Sequence, residues 1–178
     1  MKNNLCLHVP IVSDLWYREN LLSEPNTMSY NKNYDVSFDG YDSETGCIKF
    51  PESAWQNWHD WFINNEPARF YAYISHDGTF IGEVNVRLSD EKNKIYDMGI
   101  VIEAKHRGNA YSVEALKLLL KYAFENLKAE EVQNSFESNR KIAIKTHVKA
   151  GFKIINEENG ICSLTIMKSD YNKFYQKI

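Results

Sequence analysis

The stretch Asp97-Met-Gly-Ile-Val-Ile-Glu-Ala-Lys-His-Arg-Gly-Asn-Ala-Tyr-Ser-Val-Glu-Ala-Leu116 reads as a buried strand, a short basic turn and a helix that begins abruptly. Beyond the turn, Val113, Leu116, Leu120, Ala123, Phe124 and Leu127 recur at steps of three and four, which puts one apolar stripe on a core. The helix therefore begins between Asn109 and Ser112. Its first turn leaves backbone N–H groups without intrahelical partners, and the aligned peptide dipoles add partial positive charge there. Lys105, His106 and Arg107 precede the turn, while Gly108, Ala110 and Ser112 keep it sterically open, so the segment is built to receive an anion such as a phosphate. The same residues also read as an ordinary strand-to-helix turn with solvated charges. Alanine at position 110 suits a right-handed turn and would obstruct a positive φ.

Downstream, Glu131-Val-Gln-Asn-Ser-Phe-Glu137 is a second strand, followed by a helix of about ten residues around Ile142, Ala143, Ile144, His147 and Val148, with Gly151 as its C-terminal stop. A terminal hairpin turns at 156–160. Upstream, Arg69–Ser75 and Phe80–Leu88 alternate as strands around the turn at 76–79 and, with Tyr96–Ile102, form an antiparallel meander. The first third reads as a short helix over 12–22, a loop over 31–46, and a helix opened by Pro51. On that last helix Trp55, Trp58, His59, Trp61 and Phe62 fall at spacings of three and four. Such a face packs a core, and stacked aromatics also recognise a cationic amine.

The chain's 178 residues, 43% of them hydrophobic, suit a single domain over 1–178. No apolar run reaches the length of a membrane span, and no charged-then-apolar leader opens the sequence, so the expectation is a cytoplasmic protein that does not engage a membrane. Cys6, Cys47 and Cys162 are odd in number and lack paired metal spacing, which points to reduced thiols and no metal. Residues 1–66 carry four Lys/Arg against ten Asp/Glu, and the remainder 17 against 14. This asymmetry suits an anionic cofactor on the C-terminal part and a cationic amine on the N-terminal part, or is scattered surface charge. A pI near 6.0 without a dense basic run argues against nucleic acid.

The run Arg107-Gly-Asn-Ala110-Tyr-Ser112 resembles motif A of the GNAT superfamily of N-acetyltransferases, whose pattern is Arg or Gln, two residues, Gly, one residue, then Gly or Ala. It departs from that pattern at Ala110 and Ser112. Asn139-Arg-Lys-Ile-Ala143-Ile-Lys-Thr-His147-Val-Lys-Ala-Gly151-Phe152 resembles the family's later segment, with His147 where a Tyr is usual and Asn139 one residue before the usual Asn position, here Arg140. The wider frame looks like the branch that includes ribosomal-protein N-acetyltransferases, and the resemblance covers roughly residues 70–167.

It implies a mixed α/β fold with a mostly antiparallel sheet flanked by helices, in which 67–178 form the cofactor-binding core and 1–66 the acceptor side. It implies acetyl-CoA as cosubstrate, with Arg107, Gly108, Asn109, Ala110, Tyr111 and Ser112 at the pyrophosphate, main-chain groups of Ile100, Val101 and Ile102 at the pantetheine arm and oxyanion, and Asn139 or Arg140 facing the cofactor. The implied activity is direct attack by a primary amine, of a small molecule or a protein N-terminus, on the thioester. An alkyl ammonium with a pKa near 10.4 must first lose a proton. Asp97 is the first candidate base and Glu83 the second, each also readable as a solvated strand-edge carboxylate. His147 is the candidate acid for the departing thiolate, or a packed helix-face histidine. The departures keep a second reading open, a non-catalytic acyl-CoA-binding or sensory module. A homodimer is compatible with either.

Overall fold

The computed structural model describes residues 4–34, 36 and 38–175. Seven strands form one sheet in the order β1-β2-β3-β4-β5-β7-β6. They are β1 (Leu5–His8), β2 (Arg69–His76), β3 (Thr79–Asp90), β4 (Ile95–Ile102), β5 (Glu131–Glu137), β6 (Lys153–Glu158) and β7 (Ile161–Met167). Every neighbouring pair is antiparallel except β4 and β5, which run parallel because a helix connects them. The mostly antiparallel sheet flanked by helices is the expected fold class.

The alternation of β2, β3 and β4 separates two cores. Even-numbered residues, among them Phe70, Ala72, Val84, Val86, Tyr96, Met98 and Ile102, pack against α4 (Tyr111–Glu125). On that helix Ala115, Leu116, Leu119, Leu120, Ala123 and Phe124 are buried, of which Leu116, Leu120, Ala123 and Phe124 belong to the predicted stripe, and each large aliphatic or aromatic side chain contributes about 1.5–3 kcal/mol by leaving water. Val113, counted in the stripe, is only half-buried. Two further helices, α5 (Lys141–Lys149) and α6 (Lys168–Tyr175), add Ile144 and Tyr171 to this core.

Odd-numbered Tyr71 and Tyr73 point to the opposite face, where α1 (Trp16–Ser23), α2 (Pro25–Met28) and α3 (Trp55–Phe62) cover β2 and β3. Trp55, Trp58 and Phe62 pack into this second core, while Trp61 is exposed and carries the Arg69 guanidinium 3.6 Å from its ring centroid. The aromatic helix therefore both packs and holds cations. The cations are the chain's own arginines. On this side, the part of the sheet from β4 to β6 is left open, and that opening positions the site. No helix among the described residues is long and apolar enough to cross a membrane.

Candidate active site

β4 and β5 are paired at Ile95/Glu131, Tyr96/Val132 and Asp97/Gln133, and then part. From Met98 onward the two strands form a fork. In an antiparallel pair alternate residues turn their peptide groups away from the partner, so along Gly99–Ile102, which still pairs with β3, every second peptide group turns toward the gap. Gly82 allows the close β3–β4 approach beside the fork, since a Cβ there would lie 2.2 Å from the Val101 carbonyl oxygen. A cleft of about 430 Å³ opens at the fork's closed end, lined by Asp97, Gln133, Asn134, Ser135, Ile155, Ser163 and Leu164.

At the far end of β4 the turn folds tightly into α4. Gly108 has φ +86° and Ala110 φ +62°, so two left-handed residues flank Asn109, and no side chain caps the helix. Among the described residues, the N–H groups of Gly108, Asn109, Ala110, Tyr111 and Ser112 have no hydrogen-bond partner. A Cβ on Gly108 would meet no atom within 4 Å, so the approach to these amides is open. Such a concave array of amides at the positive end of a fifteen-residue helix fits a pyrophosphate, and the fork behind it fits an extended arm. The donor set therefore matches acetyl-CoA. The sequence expectation for Ala110 is corrected here, because the alanine does adopt the positive φ that it disfavours.

The arginines have other duties. Arg107 donates to the carbonyl oxygens of Ile102 (3.1 Å), Asn26 (3.2 Å) and Thr27 (2.8 Å), while the Thr27 hydroxyl accepts from the Ala104 N–H at 2.9 Å. Arg140 donates to the Tyr30 carbonyl oxygen (2.7 Å) and the Tyr34 hydroxyl (2.9 Å) and pairs with Glu137 at 2.7 Å. Both guanidiniums thus pin the α2 segment across the fork, one on each bank, instead of standing free for phosphate. Asn139 is exposed and precedes α5, and the Asn109 side chain turns back to the His106 carbonyl oxygen. Tyr111 lies against His76, with ring centroids 4.7 Å apart.

Glu83 and Asp97 share the face covered by α1 and α2, with Glu83 directly opposite Val101 in register. Glu83 is 5% exposed. One of its oxygens, Oε2, accepts from Arg18 at 2.5 Å and from the Tyr71 hydroxyl, and no described group donates to Oε1. The Arg18 guanidinium lies 4.5 Å from the Trp58 ring centroid and close to Phe50 and Tyr71, so the aromatic pocket is filled from within. Asp97 has both oxygens engaged, one by Gln133 at 2.8 Å and the other by Arg87 at 3.1 Å. Tyr30, half-buried under the Arg140 guanidinium, is pushed up to about 12 by burial and then by the charge of Glu83, and stays a neutral hydroxyl.

His147 lies on the other face, 2% exposed, between Phe136 and Phe152. Its Nδ1 is 2.8 Å from the Ala143 carbonyl oxygen and must donate, which leaves Nε2 to accept from the Asn134 amide at 3.1 Å. Burial lowers its pKa from the usual range. The geometry is that of a neutral, fully bonded ring rather than a proton donor, with no carboxylate among its hydrogen-bond partners. Sequence reasoning missed Arg18, Tyr30 and Tyr34. Only the register of α1 and the loop after α2, neither of which carries a motif, brings them to the fork.

A family model described as an acetyltransferase (GNAT) domain matches residues 5–153. An uncharacterized N-acetyltransferase of an SPbeta prophage in Bacillus subtilis (strain 168), YokL, is 26% identical over 124 residues, covering 66% of this chain and 69% of the relative. The structure of spermidine N-acetyltransferase from Vibrio cholerae in complex with CoA and spermine superposes with a TM-score of 0.73 at 17% identity, covering 94% of this chain and 97% of that one. A GNAT-family acetyltransferase from Bacillus anthracis gives a TM-score of 0.70 at 15% identity, over 95% and 98% of the two chains. With its forked sheet, its open amide turn and a family match across most of its length, this chain belongs to the GNAT family and is an acetyl-CoA-dependent N-acetyltransferase.

Proposed function

We propose that the protein acetylates a primary amine by direct attack, with the acceptor bound on the face covered by α1 and α2 and Glu83 as the proton-accepting group. The observation that carries this reading is the placement of Glu83, whose register partner Val101 lies on the fork and whose Oε1 receives no hydrogen bond from a described residue. Bound acetyl-CoA supplies a thioester carbonyl carbon open to a nucleophile. The N–H groups of 108–112 would hold its pyrophosphate end, and a main-chain N–H of Ile100 or Val101 would donate to the carbonyl oxygen as negative charge develops there.

An incoming ammonium must give up its proton, and Glu83 Oε1 takes it directly or through one water while Arg18 and Tyr71 fix the other oxygen. Asp97 is the weaker candidate. About 10 Å of strand separates it from Ile100, at roughly 3.3 Å per residue, and both its oxygens are already bonded. His147 is assigned to packing, and the thiolate leaves without its help. Amine acetylation also agrees with the spermine seen in the Vibrio cholerae relative, which has the same fold.

The test is release of CoA thiol from acetyl-CoA on addition of an amine panel, in wild type, Glu83→Gln and Asp97→Asn. Loss of a general base lowers turnover by about two to four orders of magnitude, so Glu83→Gln is expected to fall in that range and Asp97→Asn well short of it, with acetyl-CoA affinity unchanged in both. The reverse order of effects would return the role to Asp97. Tight acetyl-CoA binding without thiol release for any amine would favour the non-catalytic binding module.

A further inference from the structure

Among the described residues, four carboxylates border the fork on the acceptor face and each already has its own cation, while Glu131 at the closed end is held by the Thr165 hydroxyl. Glu83 pairs with Arg18 at 2.5 Å, Asp97 with Arg87 at 3.1 Å, Glu103 with Lys105 at 2.6 Å and Glu137 with Arg140 at 2.7 Å. They surround the opening on three sides, from β3, from the two ends of β4, and from the end of β5. At two of the four the oxygens are used as well as the charges. Asp97 has both engaged, and Glu137 has one bonded by the Tyr34 hydroxyl and the other against Arg140.

Arg69 stands directly opposite Arg87 in register on the same face, so two guanidiniums share the rim with the one Asp97 carboxylate. Beyond Asp97 the cleft is lined by neutral hydrogen-bonding groups. These are the side chains of Gln133, Ser135 and Ser163, with the two serine hydroxyls 2.9 Å apart, while the Asn134 amide is turned to His147 on the other face.

Taking the amine-acetylation reading above as its basis, we infer that the acceptor carries a single ammonium on a neutral, hydrogen-bonding body, and is not a polycation. One ammonium finds Glu83 Oε1 and gives up its charge by reacting. A second or third ammonium would have to leave water beside carboxylates already neutralised at contact distance, and an unpaired charge taken out of water is costly. The body of the acceptor meets amides and hydroxyls in the cleft instead. Specificity therefore arises from the prior engagement of the described acids beside the fork as much as from the neutral groups present. The spermine-binding relative shares the fold at 17% identity, too distant to carry over its acceptor.

The experiment compares kcat/KM, by thiol release at low and high salt, for putrescine, spermidine and spermine against serinamide, glucosamine and a Ser-Ala-Ala peptide amide with a free α-amino group. The best of the single-amine acceptors is expected to exceed spermidine at least about tenfold, with little dependence on salt because no net charge steers it. Arg87→Gln, which frees Asp97 on the exposed rim, is expected to raise kcat/KM for spermidine severalfold relative to the single amines. A wild-type preference for spermidine that falls steeply with salt would overturn the inference while leaving amine acetylation intact. Turnover with none of the six amines would overturn both. An Arg87→Gln variant with unchanged relative rates would remove charge compensation as the cause.

Discussion

Ala110 holds a backbone conformation that an L-residue with a Cβ enters at a cost of roughly 1–2 kcal/mol. The strain is retained where five amides point outward, so the turn's shape is kept at the expense of stability. Ala110→Gly is expected to raise unfolding free energy by about 1 kcal/mol, measured by urea denaturation. Ala110→Val adds a β-branched side chain at the same φ, and is expected to lower both stability and acetyl-CoA affinity by calorimetry. An unchanged affinity for the valine variant would remove this turn from the cofactor site. At His147 the expected outcome is an absence of effect on proton chemistry. Rate profiles from pH 6 to 10 for wild type and His147→Gln are expected to have the same alkaline limb, and a displaced limb would restore the histidine as the acid.

Among the elements, α4 and its turn were legible in the sequence because two separate signals agree, the spacing of Leu116, Leu120, Ala123 and Phe124 and the small residues that precede them. β5 was legible from its own residues, and the meander from alternation around short turns. The strand β1 was not, because its four residues, Leu5–His8, take their register from β2 and carry no pattern of their own. The segment α2, opened by Pro25 and capped by Glu24, is one turn long and too short to show a period of its own. The partners of the motif arginines are not legible in the sequence, for a related reason. Arg107 and Arg140 fall at motif positions, but a motif gives an arginine's place and not the carbonyl it will find. Their partners Asn26, Thr27 and Tyr30 lie about 80 to 110 residues away in sequence.

As pins, these arginines predict a particular kinetic split. Arg140→Met releases the segment around Tyr30 and Tyr34 from β5, and is expected to raise the acceptor's KM several-fold while the dissociation constant for acetyl-CoA stays within about twofold. A large loss of acetyl-CoA affinity with an unchanged acceptor KM would show that Arg140 holds the cofactor directly.

For the whole molecule, a buried neutral histidine ties stability to pH. His147 has a folded pKa below its unfolded value near 6.5, so its contribution is fully present above pH about 6.5 and is lost as pH falls through that value toward the folded pKa. Thermal unfolding between pH 8 and 5 is expected to show a steeper decline for wild type than for His147→Gln. Parallel curves would place the acid sensitivity elsewhere.

The seam between β4 and β5 bears on dynamics. Within the sheet, three ladder pairs join β1–β4 to β5, β7 and β6, with α4 packed beneath both parts, so a ligand in the fork acts as a wedge at a short seam. The gap-facing amides, every second one along Gly99–Ile102 and Asn134–Glu137, are therefore expected to exchange hydrogen quickly in the free protein and to slow together when acetyl-CoA enters. Slowing confined to residues 107–112 would mean that the cofactor is gripped at its phosphates while the two parts of the sheet stay free to move against each other.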